Sequence, residues 1–388
     1  MNKLFGIIKI GLAVMKSWLP NVAAEKGNKL NILFLVPRYH TNMIPMVESL
    51  KQAGHEVAVV VSAAESLEDY QILRPIQLNA DHEMTEVALQ LPFKKPNLVL
   101  IRALSLPMIQ FAVWAKHQGA TIIQYTQKPL RRPFGIKSAL KDLKRLRANQ
   151  LAKIPLTSVT PVDHHASIQK NLPKKYLRRI FNFPVFEYPN TNLNPTAPSE
   201  RLKVLMVGKL AQPRKRHFWF IDALKSSGLQ IDLKICGAGL DLQFDDGTRD
   251  GEYYFDLKEC AEATCDSDPL HISLHEDVNF YELSTYYSEA EIFALPALNE
   301  EFGISVLEAM AHSCAVVVSD ACGSARHITD GVDGMVFPSD DFAIFEEKVH
   351  QLLRNEVLRV SIQKRAKLTI ARNHNYEQFS DFIQQLTH

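Results

Sequence analysis

Two carboxylates, Glu300 and Glu308, stand with seven residues between them around a Phe302-Gly303 pair, inside the stretch EIFALPALNEEFGISVLEAMAHSCAVVVSDACGSARHITDGVDGMVFP at 291–338. The apolar run from Glu291 to Leu295, stopped by Pro296, predicts a buried strand, and Ala297 to Glu301 a polar loop. Phe302-Gly303 then opens a helical pattern with Ile304, Leu307 and Met310-Ala311 on one face. A small-residue loop feeding a helix N-terminus suits an anion, because the first backbone N–H groups lack partners and the helix dipole is positive there. Gly303 lets a ligand approach the backbone closely. Glu308, about a turn and a half into the helix, is placed to accept hydrogen bonds from hydroxyls beyond that anion, and Glu300 reaches its other side. The pattern fits a hydroxyl–phosphate–hydroxyl ligand, such as a nucleoside diphosphate sugar. The alternative is a pair of solvated surface charges. The Phe-Gly between the acids, the strands on both sides and the downstream glycines weigh against it.

The elements that must hold these residues follow on both sides. Ala315 to Ser319 predicts the next strand, Gly323 ends its loop, and a short helix is expected from His327-Ile328. Glu300-x7-Glu308, with Glu308-Ala309-Met310-Ala311, closely resembles the E-x7-E signature of family 4 glycosyltransferases. The resemblance runs from about residue 201 to 340. It implies an α/β fold of the GT-B type, two Rossmann-like domains facing a cleft, and a retaining sugar transfer from a nucleotide-sugar donor. It also implies that Glu308 binds the donor ribose and that Glu300 lies beside the donor sugar, with Phe302, Gly303 and Ile304 among the donor contacts. Gly208-Lys209-Leu210-Ala211-Gln212-Pro213-Arg214-Lys215-Arg216 resembles the family's donor-phosphate loop, with one extra residue before the lysine. Lys209 and Lys215 are therefore expected on the diphosphate, with Arg214 as the register alternative. Cations there neutralise charge building on a leaving diphosphate, and no metal or other cofactor is expected. Gly237, in Cys236-Gly237-Ala238-Gly239, resembles the family's Gly-x-Gly turn. The chain departs from the family at two points. Ser313 stands where Gly is usual. Cys322-Gly323-Ser324-Ala325-Arg326 stands where Gly-Gly-x-x-Glu is common, which places a cation near the donor.

The chain has 388 residues, which favours two domains. With 46% hydrophobic and 22% charged residues it reads as globular, and its net charge of +1 gives no general affinity for nucleic acid. Five cysteines without metal-type spacing suit a reducing compartment. Residues 1–29 form an apolar, lysine-bearing segment and linker. It reads as a membrane-surface helix, a helix packed on the body, or a signal peptide. Residues 30–190 read as the acceptor domain and 191–372 as the nucleotide-sugar domain; 373–388 read as a helix crossing back to the first.

In the first domain, Leu30–Val36 and Val57–Val61 predict strands around a helix from Met43 to Ala53. The family's glycine-rich first loop is absent, and Arg38-Tyr39-His40-Thr41-Asn42 stands in its place, so His40 and Asn42 are expected near donor or acceptor. Many relatives carry a histidine in the loop after Thr121–Tyr125, where this chain has Gln127. Gln127 can position a hydroxyl but cannot take a proton; the departing phosphate oxygen can accept the acceptor's proton instead. Asp163 and His164 are expected at a strand end on the cleft side. The basic stretch 128–153 reads as a solvated face or as a surface for an anionic glycolipid or membrane. The acidic residues 241–268, with Asp266-Ser267-Asp268, read as a loop of solvated charge. The expected partners are a nucleotide-sugar donor and a glycan or anionic glycolipid acceptor, without nucleic acid. The expected location is the cytoplasm, with contact to the inner membrane face. The alternative function is a nucleotide-sugar-binding protein of the same fold without turnover.

Overall fold

The computed structural model describes residues 29–37, 43–62, 74–78, 84–102, 105–125, 158–160, 178–185, 201–240 and 250–387. The first half builds a parallel sheet of seven described strands: β1 (Asn31–Val36), β2 (Glu56–Val61), β3 (Ile76–Gln77), β4 (Leu98–Ile101), β5 (Thr121–Tyr125), β6 (Ser158–Thr160) and β7 (Arg178–Ile180), in the order β3-β2-β1-β4-β5-β6-β7. Between them run α1 (Met43–Gln52), α2 (Met84–Leu89) and α3 (Leu106–His117). The central strands read as unbroken apolar runs such as NILFLV and LVLI, because helices cover both faces of a parallel sheet.

The second half repeats the plan. β8 (Leu202–Val207), α4 (His217–Lys225), β9 (Ile231–Gly237), α5 (Gly251–Glu262), β10 (Leu270–Glu276), α6 (Phe280–Glu289), β11 (Ile292–Leu295), α7 (Ile304–Ala311), β12 (Ala315–Ser319) and β13 (Met335–Phe337) alternate along the chain. The six strands are parallel, in the order β10-β9-β8-β11-β12-β13. Three helices close the chain: α8 (Phe342–Arg354), α9 (Glu356–Asn373) and α10 (Tyr376–Gln384). α10 packs on α1 of the first half, where Ser380 Oγ lies 3.3 Å from Nε2 of the buried His55. Phe181 touches Phe379 and Phe382, with ring centroids 5.3 and 5.4 Å away. One hydrophobic cluster runs from Ile32 and Phe34 of the first sheet through Phe183 and Phe302 to Val316 and Val318 of the second.

Two local expectations are corrected. The acidic stretch is not all loop, since Gly251–Glu262 is helical and capped by Asp250, whose side chain accepts the Tyr253 N–H. Tyr254, Leu257 and Ala261 recur on one face of that helix and bury against the sheet. The short helix expected from His327-Ile328 is instead a 3-10 turn over Gly323–His327, with Ile328 already extended. Among the described residues, no helix is long and apolar enough to cross a membrane.

Candidate active site at the switch point of the second sheet

In the second sheet, β9 and β10 extend to one side of β8, while β11, β12 and β13 extend to the other. The order reverses between β8 and β11, and ligands of open α/β sheets bind beyond the carboxyl ends of the strands at such a point. The loops that leave these two strands carry the predicted site. After Val207, the Gly208 N–H donates to the Cys236 carbonyl and the Leu210 N–H to the Ala238 carbonyl, so Lys209 lies against the turn after β9. A Cβ at Gly237 would stand 1.8 Å from the Gly208 carbonyl oxygen and 3.3 Å from the Lys209 Cα. Only glycine lets the two loops meet, and Gly237 acts through this fit.

A 3-10 turn, Pro213–Lys215, follows and swings Arg214 and Lys215 toward the β11 loop. Arg216 takes the left-handed conformation at φ 58°, which starts α4 in a new direction. Its guanidinium is seated 3.9 Å from the centre of the Trp219 ring. Lys215 is buried, its stem running along Gly208, where a Cβ would meet Lys215 Cδ at 3.2 Å. Below it lies His217, fully buried, with Nδ1 3.1 Å from the Tyr253 hydroxyl. Burial, with Lys215 close by, holds the His217 imidazole neutral, down to about 3.

From the other strand, the loop after Leu295 delivers Glu300. Lys215 Nζ donates to Glu300 Oε2 at 2.5 Å, and Arg214 Nη1 donates to the same oxygen at 2.9 Å. Arg214 Nη1 also donates to the Asn299 carbonyl at 2.5 Å, and the Leu298 N–H to the Arg214 carbonyl at 2.8 Å. Both cations competing for the register thus converge on one carboxylate. Burial alone would push Glu300 upward, but Lys215 and Arg214 outweigh it and hold the carboxyl below its ordinary value. The Glu300 backbone forms a parallel bridge with Cys322, and its carbonyl accepts the Gly323 N–H at 3.0 Å. The turn after β12 therefore fixes the position of the acid.

Gly303 is the N-cap of α7 at φ 75°. A Cβ there would stand 2.5 Å from Cys322 Sγ and 3.3 Å from Glu300 Cγ. Ile304, half-buried, opens the first turn, whose amides face the end of the helix. Phe302, expected among donor contacts, has its ring buried in the aromatic layer that joins the two halves, 5.5 Å from Phe183 and 6.1 Å from His327. Its side chain anchors the loop.

Glu308, on α7, is held from the preceding helix. The buried Tyr287 hydroxyl donates to Glu308 Oε2 at 3.0 Å. Burial raises the Glu308 carboxyl to about 7, and the Tyr287 bond opposes this only in part. His312 Nδ1 lies 2.8 Å from the Glu308 carbonyl and its Nε2 3.0 Å from Ser284 Oγ; its ring stacks on Tyr287 at 5.2 Å. Sequence reading missed Tyr287 and His312, because an aromatic and a histidine at helical spacing look like ordinary core. Within the sequence, their only signal is their place on helices flanking the β11 strand.

The other expected contacts, His40, Asn42, Gln127, Asp163 and His164, lie outside the described residues. In the first sheet the order reverses between β1 and β4, and Arg102 stands at the carboxyl end of β4 with its N–H on the Leu35 carbonyl at 2.7 Å. Asp266 and Asp268 lie in the turn before β10. Asp268 accepts the Cys265 N–H at 2.7 Å, and Arg201 binds the Asp268 carbonyl at 2.9 Å. These aspartates shape the turn. No group of three or more His, Cys, Asp or Glu among the described residues is arranged to hold a metal ion.

Residues 192–369 match the family model described as glycosyl transferases group 1. A stretch of 76 residues is 40% identical to the N,N'-diacetylbacillosaminyl-diphospho-undecaprenol alpha-1,3-N-acetylgalactosaminyltransferase of Campylobacter jejuni, covering 20% of each chain. Another of 160 residues is 30% identical to the phosphatidyl-myo-inositol mannosyltransferase of Mycobacterium leprae, covering 40% of this chain and 38% of the relative. The matched stretches span less than half of these relatives' lengths. The fold extends much further. A glycosyltransferase from Rickettsia africae superposes with a TM-score of 0.67 at 14% identity, over 93% of this chain and 98% of its own. Anabaena HepE in complex with UDP and glucose gives 0.67 at 13% identity, over 92% and 98%. The fold is GT-B, with two Rossmann-like domains, as the E-x7-E resemblance implied.

Proposed function

We propose that this chain, whose residues 192–369 belong to the glycosyl transferases group 1, moves a sugar from a nucleotide-sugar donor to a glycan or glycolipid acceptor with retention of anomeric configuration. The observation that carries this reading is the convergence of Arg214 and Lys215 on Glu300 at the switch point, next to the N-terminus of α7. The diphosphate of the donor lies across that helix end, takes hydrogen bonds from its first amides, and shares Lys209, Arg214 and Lys215. Those cations gain strength as charge builds on the leaving phosphate oxygen, which is when stabilisation accelerates the reaction. Glu300, already fixed by both cations and by the Cys322 bridge, orients the donor sugar. Glu308 accepts hydrogen bonds from the ribose.

The acceptor hydroxyl attacks the anomeric carbon from the side the diphosphate leaves, and the departing oxygen takes its proton. No bound metal is needed in this scheme, because the three basic side chains and the helix amides supply the positive charge. The acceptor lies on the first domain, where Arg102 offers a cation at the corresponding edge. The names of the two curated relatives, one acting on a diphospho-undecaprenol carrier and one on phosphatidyl-myo-inositol, support an anionic glycolipid acceptor. A role in bacterial cell-surface polysaccharide or lipopolysaccharide synthesis, at the cytoplasmic face of the membrane, fits that chemistry. A thermal-shift panel of nucleotide sugars tests the donor assignment, and proton NMR of the product's anomeric centre tests retention. A folded protein that no nucleotide sugar stabilises ends the donor reading. An inverted product ends the retaining one.

A further inference from the structure

Glu308 is held in an unusual way for a half-buried acid. One carboxylate oxygen, Oε2, receives the Tyr287 hydroxyl at 3.0 Å. The other, Oε1, has no hydrogen-bond partner among the described residues. The backbone of the same residue is fixed independently, since its carbonyl meets His312 Nδ1 at 2.8 Å. His312 is itself tied to Ser284 and stacked on the Tyr287 ring. Tyr287 is wedged from behind by Phe293, 6.0 Å away, and its carbonyl accepts Cys314 Sγ–H at 3.2 Å. α6 and α7 therefore clamp one residue at both its carboxylate and its carbonyl.

We propose that Tyr287, backed by His312, is a positioning residue that fixes Glu308 Oε2 and so turns Oε1 toward the hydroxyls of the donor ribose. The proposal rests on the reading that Glu308 meets the ribose. A carboxylate free to rotate offers either oxygen in many directions. One pinned by a phenol buried beneath it offers a single acceptor along one direction, which suits a vicinal diol. The clamp then sets how strongly the site distinguishes a ribonucleotide from one lacking its ribose hydroxyls.

The test uses the full chain and whichever of UDP, GDP and ADP binds best, compared with its 2′,3′-dideoxy counterpart by calorimetry at pH 8. The wild type is expected to prefer the ribonucleotide by about tenfold, the equivalent of one hydrogen-bonded pair to a charged acceptor. Glu308→Gln is expected to erase most of that preference. Tyr287→Phe, which removes only the hydroxyl, is expected to reduce it at least about threefold while leaving the affinity for inorganic pyrophosphate unchanged. A merely structural tyrosine would weaken all ligands together. If Glu308→Gln keeps the wild-type preference, the ribose reading itself fails. If Glu308→Gln loses it but Tyr287→Phe keeps it, the ribose reading stands and the positioning role is overturned. Should Tyr287→Phe not fold, His312→Gln carries the same comparison, since it removes the Glu308 carbonyl contact and the stacked ring.

Discussion

The loop that carries Glu300 and the helix that carries Glu308 hold the same side chain in opposite electrostatic states. Glu300 lies between Lys215 and Arg214, and its carboxyl is driven below the ordinary range despite burial. Glu308 lies among uncharged groups, receives one phenolic hydrogen bond, and is lifted to about 7. When two acids in one site are pushed apart in this way, the environments divide the roles between them. In the proposed scheme the ionised one works beside the cations on the diphosphate and orients the reacting sugar. In the same scheme Glu308, which ionises near neutral pH, accepts from the ribose hydroxyls. Gly303 separates the two environments: the chain turns there at φ 75°, so that one acid faces the β8 loop and the next is carried onto a packed helix.

The sharpest way to break this division is to neutralise each acid in turn. Glu300→Gln is expected to lower kcat by about a hundred- to a thousandfold, since it disturbs the cations that stabilise the leaving group, with a smaller effect on nucleotide affinity. Glu308→Gln is expected to act mainly on donor affinity. Steady-state kinetics with a labelled donor, set beside calorimetry, separates the two. Equal effects of both variants on kcat would erase the distinction.

Titration sharpens the same comparison. The groups facing Glu308 are Tyr287 on α6 and His312 at the C-cap of α7, with Lys367 of α9 acting on His312. The folded Glu308 carboxyl titrates above its unfolded value of 4.5, so its contribution to stability is full below that value and is lost as pH rises through about 7. The interval corresponds to roughly 3 kcal/mol. Glu300 has the opposite sign: its contribution is present above its unfolded value and is lost on acidification. Chemical denaturation of wild type and Glu308→Gln between pH 5 and 8 checks this. The wild-type stability is expected to fall relative to the variant across that range, and parallel curves would count against the buried-acid assignment. Nucleotide affinity is expected to rise over the same range as Glu308 ionises, and Glu308→Gln to flatten that rise.

The hinge between the two acids gives a smaller effect. Gly303→Ala forces a side chain onto a left-handed backbone and against Cys322 Sγ, and is expected to cost about 2 kcal/mol, read as a lower Tm. At the far end of α7, Ser313 occupies the left-handed position at φ 64°. The Ser313 N–H reaches the Met310 carbonyl and the Cys314 N–H the Ala309 carbonyl, the arrangement of a helix C-terminus that favours glycine. Ser313→Gly is expected to stabilise the fold by about 1 kcal/mol and to leave both acids and their kinetics unchanged.

Much of this arrangement was legible in the residue pattern, and the reasons differ from place to place. The parallel strands announced themselves because burial on both faces demands unbroken apolar runs, as in Ala315–Ser319. Glu300 and the Arg214-Lys215 segment were both expected around the donor from the family resemblance, but their direct pairing was not, and the extra residue left the choice of cation open. The 3-10 turn explains that ambiguity, since it presents both cations to one oxygen. α5 was hidden because its acidic outer face dominates the composition, while its apolar face comprises only Tyr254, Leu257 and Ala261. Tyr287 was hidden for a different reason. It meets Glu308 from a separate helix, and a side chain that packs like core gives no sequence sign that its hydroxyl has a task.

The direct test of the switch-point site is calorimetry on wild type and an Arg214→Gln, Lys215→Gln double variant, with a nucleoside diphosphate and the bare nucleoside as ligands. The double variant is expected to lose more than about tenfold in diphosphate affinity and to keep its affinity for the nucleoside. Unchanged affinity for the diphosphate in the folded variant would contradict it.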